Sequence, residues 1–167
     1  MKVIGAKVWK DGKEHAVADV TLPSLEAMSD TIKGGGIAGE MDVPVIGQFG
    51  EIEMECTWRS TTKEAYDLMK PGPHELEVRG ALQELDKNSG KWKVIAVRVF
   101  VRATPKKLEG GKLETAASMD IPQAFSLSYM KTELDGEEMV ELDKLNYIYK
   151  VRGEDVLADV RKAMGME

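Results

Sequence analysis

The chain of 167 residues has one cysteine and two histidines. With Cys56 alone, no intrachain disulfide can form. His15 and His74 are too few, and too isolated, for a histidine-based metal centre. Long apolar runs are also missing. The longest, Val94 to Val97, falls far short of the roughly 20 residues a membrane helix needs. Lys7 and Lys10 interrupt the N-terminal segment where a secretory signal would carry its apolar core, so folding in a reducing cytosol without such export is expected. Positive charge is in deficit: 23 Lys and Arg face 29 Asp and Glu, a formal net charge of -6. A chain of that balance is poorly suited to gripping phosphate backbones, because such affinity comes from cations that neutralise them. It could still surround nucleic acid without binding it.

What remains is an ordinary globular mixture, 43% hydrophobic and 31% charged, of a length that suits one domain over 1–167. Alternation of period two dominates. Ile52, Met54, Cys56 and Trp58 alternate with Glu51, Glu53, Glu55, Thr57 and Arg59, which predicts a strand with one buried face. Leu76, Val78 and Leu82 alternate with Glu75, Glu77, Arg79 and Gln83. Ile95, Val97, Val99 and Val101 oppose Arg98 and Arg102, and Asn88-Ser89-Gly90 turns between these two strands. Asp11-Gly12 joins Val3–Trp9 to a second strand over Ala16–Val20, since Asp-Gly suits a type I′ turn. Phe125, Leu127 and Tyr129 mark a strand that pairs through Asp135-Gly136 with Met139–Leu142, and Leu145, Tyr147, Tyr149 and Val151 mark a last one. So many short strands predict a mainly β protein, an antiparallel sandwich or barrel.

Two helices are expected. Thr61 and Glu64 have capping-box spacing, and Lys70-Pro71-Gly72-Pro73 ends the helix they begin. The other spans 154–164, with Val156, Leu157, Val160 and Met164 on one face, and Arg161 and Lys162 near its end. Segments 23–50 and 104–118 read as long loops, of a length that often signals function. The first carries Leu25, Met28, Ile32, Ile37, Met41, Val43, Val45 and Ile46, more apolar side chains than a solvated loop needs. They either fold back over one end of the sheet or form a binding surface.

Catalytic and binding motifs are weak. Gly34-Gly35-Gly36-Ile37-Ala38-Gly39 matches G-x-G-x-x-G, but no buried strand precedes it and Pro44 follows closely, so a flexible turn fits better than a nucleotide site. His74-Glu75 begins like a zinc-protease helix, yet the residue four beyond His74 is Val78. Cys56 falls on the apolar face of its strand, the place of a core thiol. Lys106-Lys107 is offset by Glu109 and Glu114. No catalytic, cofactor or metal set emerges.

The chain resembles the major tail tube proteins of contractile-tailed bacteriophages and related phage-like particles, R-type bacteriocins among them. Four stretches carry the likeness. They are Lys7–Gly12 with Val20-Thr21-Leu22-Pro23, then Gly34–Val45, then Val97-Arg98-Val99 leading into 104–118, and above all the C-terminal order from Leu134-Asp135-Gly136-Glu137 to Gly165. The middle, about 46–92, matches poorly. The resemblance implies a structural subunit without enzymatic activity. Copies would form hexameric rings that stack into a tube inside a sheath. In a phage the tube would conduct DNA, and in a headless particle it would puncture an envelope. It also implies assembly in the bacterial host cytoplasm, with sheath, tape-measure and baseplate proteins as partners. On this view Leu25, Met28, Ile32, Ile37, Met41, Val43, Ile46, Leu108 and Leu113 would contact neighbouring subunits, and Glu51, Glu53 and Glu55 would face the lumen. The competing expectation is a monomeric β-barrel that binds a small ligand, with 23–50 as its lid.

Overall fold

The computed structural model describes residues 1–15 and 18–166. Its elements, in chain order, are β1 (Lys2–Lys10), β2 (Lys13–Glu14), β3 (Ala18–Thr21), β4 (Ala27–Lys33), β5 (Glu40–Phe49), β6 (Glu53–Trp58), α1 (Lys63–Asp67), β7 (His74–Leu85), β8 (Trp92–Leu108), β9 (Ile121–Leu134), β10 (Glu137–Asp143), β11 (Ile148–Val151), β12 (Glu154–Asp155) and α2 (Ala158–Ala163). The fold is mainly β and antiparallel throughout, as expected.

One large sheet runs β12-β11-β10-β9-β8-β7-β1-β2, and β6 adds to β9 with β3 outside it. The sheet curls so that β3 approaches β1, but no ladder joins them and no barrel closes. The enclosed space is filled. Trp58, Phe125, Met54, Cys56 and Ile52 meet Val8, Val78, Val99, Val101 and Leu142, all at most 4% exposed. Full burial of aliphatic or aromatic side chains is worth about 1.5–3 kcal/mol each. A ligand-holding barrel with a lid is therefore not what the structure shows.

Three two-residue turns set the hairpins. Asp11-Gly12, Asp135-Gly136 and Arg152-Gly153 all have positive φ at both positions, the type I′ pattern that matches strand twist. The second strand of the first hairpin differs from the sequence expectation. β2 pairs with β1 only at Glu14 and Lys13, and the chain rejoins the sheet as β3 beside β6. Ala16 and Val17 of the expected strand lie outside the described residues.

β9 organises the molecule. Ile121–Ser126 pair with β6, whereas Tyr129–Leu134 pair with β10, on the same edge of the strand. The handover falls at Ser128, where the pairing with β8 slips by one residue. Ile52 accepts a backbone hydrogen bond from Leu127 (2.9 Å), and Lys144 donates one to Ser128 (3.0 Å), so the two partners meet at this bulge. The slip also inverts the side chains. Met130 turns into the core, and Tyr129 lies on the opposite face, where its hydroxyl donates to Glu141 (2.8 Å). Alternation alone had placed Tyr129 with Phe125 and Leu127.

Other boundaries shift for local reasons. The cap of α1 is Thr62, not Thr61: its hydroxyl accepts from the Ala65 amide at 3.2 Å. Leu145 and Tyr147 belong to a turn. Asp143 accepts from the amides of Leu145 (3.0 Å) and Asn146 (3.2 Å), and Tyr147 has φ 52°, so the strand resumes only at Ile148. The Arg152-Gly153 turn makes 154–155 a strand, which shortens the C-terminal helix to Ala158–Ala163. Its buried side chains are Leu157, just before it, and Arg161. Val156 and Met164 are exposed. Arg161 forms a bidentate pair with Asp155 and donates to the Tyr147 carbonyl (3.0 Å). Finally, 104–108 extends β8, because Pro105 sits beside a slip in the ladder where its missing N–H is tolerated.

Candidate assembly surface

The segment 23–50 is a β-hairpin and not a loop. β4 and β5 pair only with each other, from Lys33↔Glu40 to Ser29↔Pro44, with a base rung at Ala27↔Phe49. The glycines of the G-x-G-x-x-G match form its tip, with φ of 70°, 61°, 96° and 98° at Gly34, Gly35, Gly36 and Gly39. Lys33 and Glu40 form an ion pair (3.3 Å), and Thr31 donates to Asp42 (2.7 Å). All seven residues of β4 are exposed.

An isolated two-stranded sheet is marginal in water. This one presents Met28, Ile32, Met41, Val45 and Ile46 to solvent, at 43–65% exposure. The remaining residues expected at subunit contacts lie differently. Ile37 and Val43 are half-buried within the hairpin. Leu25 and Leu108 pack against the core of their own chain. Leu113, on the segment between β8 and β9, is 88% exposed.

A second apolar region was not read from the sequence. β1 and the β7–β8 hairpin extend past the core, where Val3 pairs with Leu82, Leu82 with Ile95, and Leu85 with Trp92. Val3, Ile4, Trp92 and Val94 are 58–71% exposed. The parting of β1 from β3 leaves a groove of about 790 Å³, lined in part by Val3, Ile4, Ala6, Val20 and Ala81. The signal was weak: Trp92 stands between two lysines, and Ile4 lies at a register slip.

The acidic strip is partly neutralised. Lys106 bonds to both Glu51 (2.8 Å) and Glu53. Its hydrogen bond holds the Glu51 carboxyl below the usual range, and the pair of carboxylates raises Lys106. Glu55 is exposed and forms no ion pair with a described residue. Glu26 lines a separate groove of about 470 Å³ together with Glu51, Glu53 and Glu55.

His74 and Cys56 have structural places. His74 lies between the Lys10 ammonium, 2.8 Å from Nδ1, and the Lys70 carbonyl, 2.9 Å from Nε2. A neutral ring donating from Nε2 satisfies both contacts. Burial pushes the Cys56 thiol up to about 12, so it is not a thiolate at neutral pH. Among the described residues no group of three or more His, Cys, Asp and Glu side chains is placed to hold a metal ion.

Known proteins are similar in sequence to nearly the whole chain. The tail tube protein of Escherichia phage P2 is 26% identical over 151 residues, covering 88% of this chain and 86% of that protein. The major tail tube protein of Serratia phage KSP20 is 24% identical over 162 residues, covering 95% and 92%. The family profile described as phage tail tube protein FII matches residues 1–165, and this chain therefore belongs to the phage tail tube family.

Proposed function

We propose that this protein is the self-assembling subunit of a contractile tail's inner tube, forming stacked hexameric rings around a hollow conduit. The observation that carries this is the β4–β5 hairpin, a two-stranded sheet with five apolar side chains that the described residues leave exposed. A copy in the adjoining ring would cover it, with Met28, Ile32, Met41, Val45 and Ile46 as contacts and Ile37, Val43 and Leu113 beside them. Leu25 and Leu108, half-buried against the core of their own chain, would complete the contact from beneath. The free edges of β1 and β3 suit lateral pairing between subunits of a ring, which removes exposed strand edges. Head-to-tail contacts of this kind close into rings or propagate as filaments according to their rotation.

The net charge of -6 per subunit suits a lumen through which a polyanion slides. Glu51, Glu53 and Glu55 are proposed to line it, with Lys106 lowering their local charge. The sheath would lie outside the tube, a tape-measure protein within it and a baseplate at its end. DNA delivery or envelope puncture would be its task, after assembly in the host cytoplasm.

Negative-stain microscopy of the purified chain tests the reading. Hollow rods or stacked rings are expected. A monodisperse monomer at high concentration would refute it.

A further inference from the structure

The hairpin is not simply tethered. Between its base rung, Ala27↔Phe49, and the first rung of its distal ladder, Ser29↔Pro44, β5 advances five residues while β4 advances two. The surplus forms a wide bulge over 45–48. Gly47 lies in it at φ 65°. A Cβ at Gly47 would fall 2.5 Å from Leu157 Cδ2 and 2.7 Å from Cδ1 and Cγ, so the backbone of the bulge rests directly on that side chain. Leu157 is 1% exposed and sits at the entry to α2.

Other groups hold the same place. The Phe49 ring meets Tyr149 of β11 edge-on, with centroids 5.0 Å apart. The Lys144 ammonium donates to the Gly50 carbonyl (2.7 Å), and the Gly50 amide donates to the Glu26 carbonyl (3.0 Å). Gly47, Gln48 and Phe49 enclose with Leu142, Tyr147 and Leu157 a small cavity of about 120 Å³. These supports come from residues 142–157, which begin at the end of β10, the strand that takes over the edge of β9 where β6 leaves it.

We infer that the C-terminal segment 142–157 is a clamp that fixes the direction in which the β4–β5 hairpin leaves the body, with Gly47 and Leu157 as its positioning pair. A bulge in a two-stranded ribbon is a natural bend. Without a support the distal ladder would sample many directions, and each docking event would have to select one of them. Held by Leu157, Tyr149 and Lys144, the apolar face is presented in one orientation before any partner arrives. Preorganisation of this kind strengthens association by reducing the entropy lost on docking. The inference rests on the hairpin being the assembly element, and its test separates the two.

Spin labels at Lys33→Cys, near the hairpin tip, and Lys93→Cys, on β8, report the hairpin's direction in dilute, unassembled protein. The buried Cys56 stays unlabelled. The parent should give one narrow distance distribution. Gly47→Ala should broaden or displace it and raise the critical concentration for tube formation by about tenfold. Adding Leu157→Ala should bring both back towards the parent, which a general loss of stability would not do. Lys144→Met, which leaves the glycine untouched, should broaden the distribution even if Gly47→Ala fails to fold. An unchanged distribution in Gly47→Ala or in Lys144→Met overturns the clamp. So does a displaced hairpin whose tubes form at the parent concentration. A parent that never forms tubes refutes the proposed function, while the distances still decide the clamp.

Discussion

The indole Nε1 of Trp58 donates to Oε1 of Gln123 at 2.8 Å, in a core where neither side chain reaches solvent. The Gln123 Nε2 has no partner among the described residues. Trp58→Phe would leave Oε1 orphaned as well and open a cavity. A loss of about 2–4 kcal/mol is expected, more than the lost hydrogen bond alone. Gln123→Met in that background should recover part of it. Urea unfolding of the two variants and the parent measures both steps.

Arg161 and Asp155 form another polar contact that is largely withdrawn from solvent. The guanidinium is mostly buried, pairs with both carboxylate oxygens and also serves the Tyr147 carbonyl. Arg161→Ala should lower the melting temperature, since it removes the packing of a mostly buried side chain together with its hydrogen bonds to Asp155 and the Tyr147 carbonyl. Arg161→Lys should rescue little, because an ammonium cannot reproduce the planar fork. Thermal unfolding ranks the three proteins.

Acid should weaken the fold in two stages. The Arg79 hydrogen bond, reinforced by Arg98, holds Glu77 below its ordinary 4.5, and the Arg161 hydrogen bond holds Asp155 below 3.8. For both, the folded pKa lies under the unfolded one. Their stabilisation is complete above the unfolded value and disappears as pH falls through the folded one. His15 is lowered from 6.5, first by burial and then by Lys10, so its neutral form belongs to the folded state and its contribution starts to fade below about pH 6.5. Denaturant midpoints should fall gently below that pH and steeply in the carboxylate range. Glu77→Gln should flatten the steep limb.

Ile32→Lys and Met41→Lys lie directly opposite one another on the hairpin. Neither touches the core, so the melting temperature should move by no more than about 2–4 °C. Each should sharply reduce sedimentable assemblies, because a charge would then enter a desolvated contact. Together they should abolish them. Equal sedimentation of parent and double variant would remove the hairpin from the interface.

Strands with regular alternation were legible. Ile52 to Trp58 and Leu76 to Val78 face inward as their spacing dictates, and the Asp-Gly turns are where composition places them. Legibility failed where tertiary contacts override a local pattern. Nothing around Ser128 announces a change of partner, so Tyr129 was assigned to the wrong face. β4 contains Ser29 and Asp30, both poor strand formers, and β5 contains Pro44 and Gly47, so a hairpin looked like a loop. Its apolar side chains were nonetheless singled out by composition. Arg161 is expected only near a helix end, and its burial was not legible because its partner, Asp155, sits on a strand created by the unexpected Arg152-Gly153 turn.

The shared edge of β9 also imposes an order of events. β6 needs Ile121–Ser126, and the supports of the hairpin come later still, at Lys144, Tyr149 and Leu157. A ribosome working from the first residue therefore exposes the sticky ribbon long before it exposes what steadies it. If the ribbon is the assembly element, the nascent chain would carry adhesive side chains without a fixed aim until the last portion is translated, and polymerisation would wait for completed molecules.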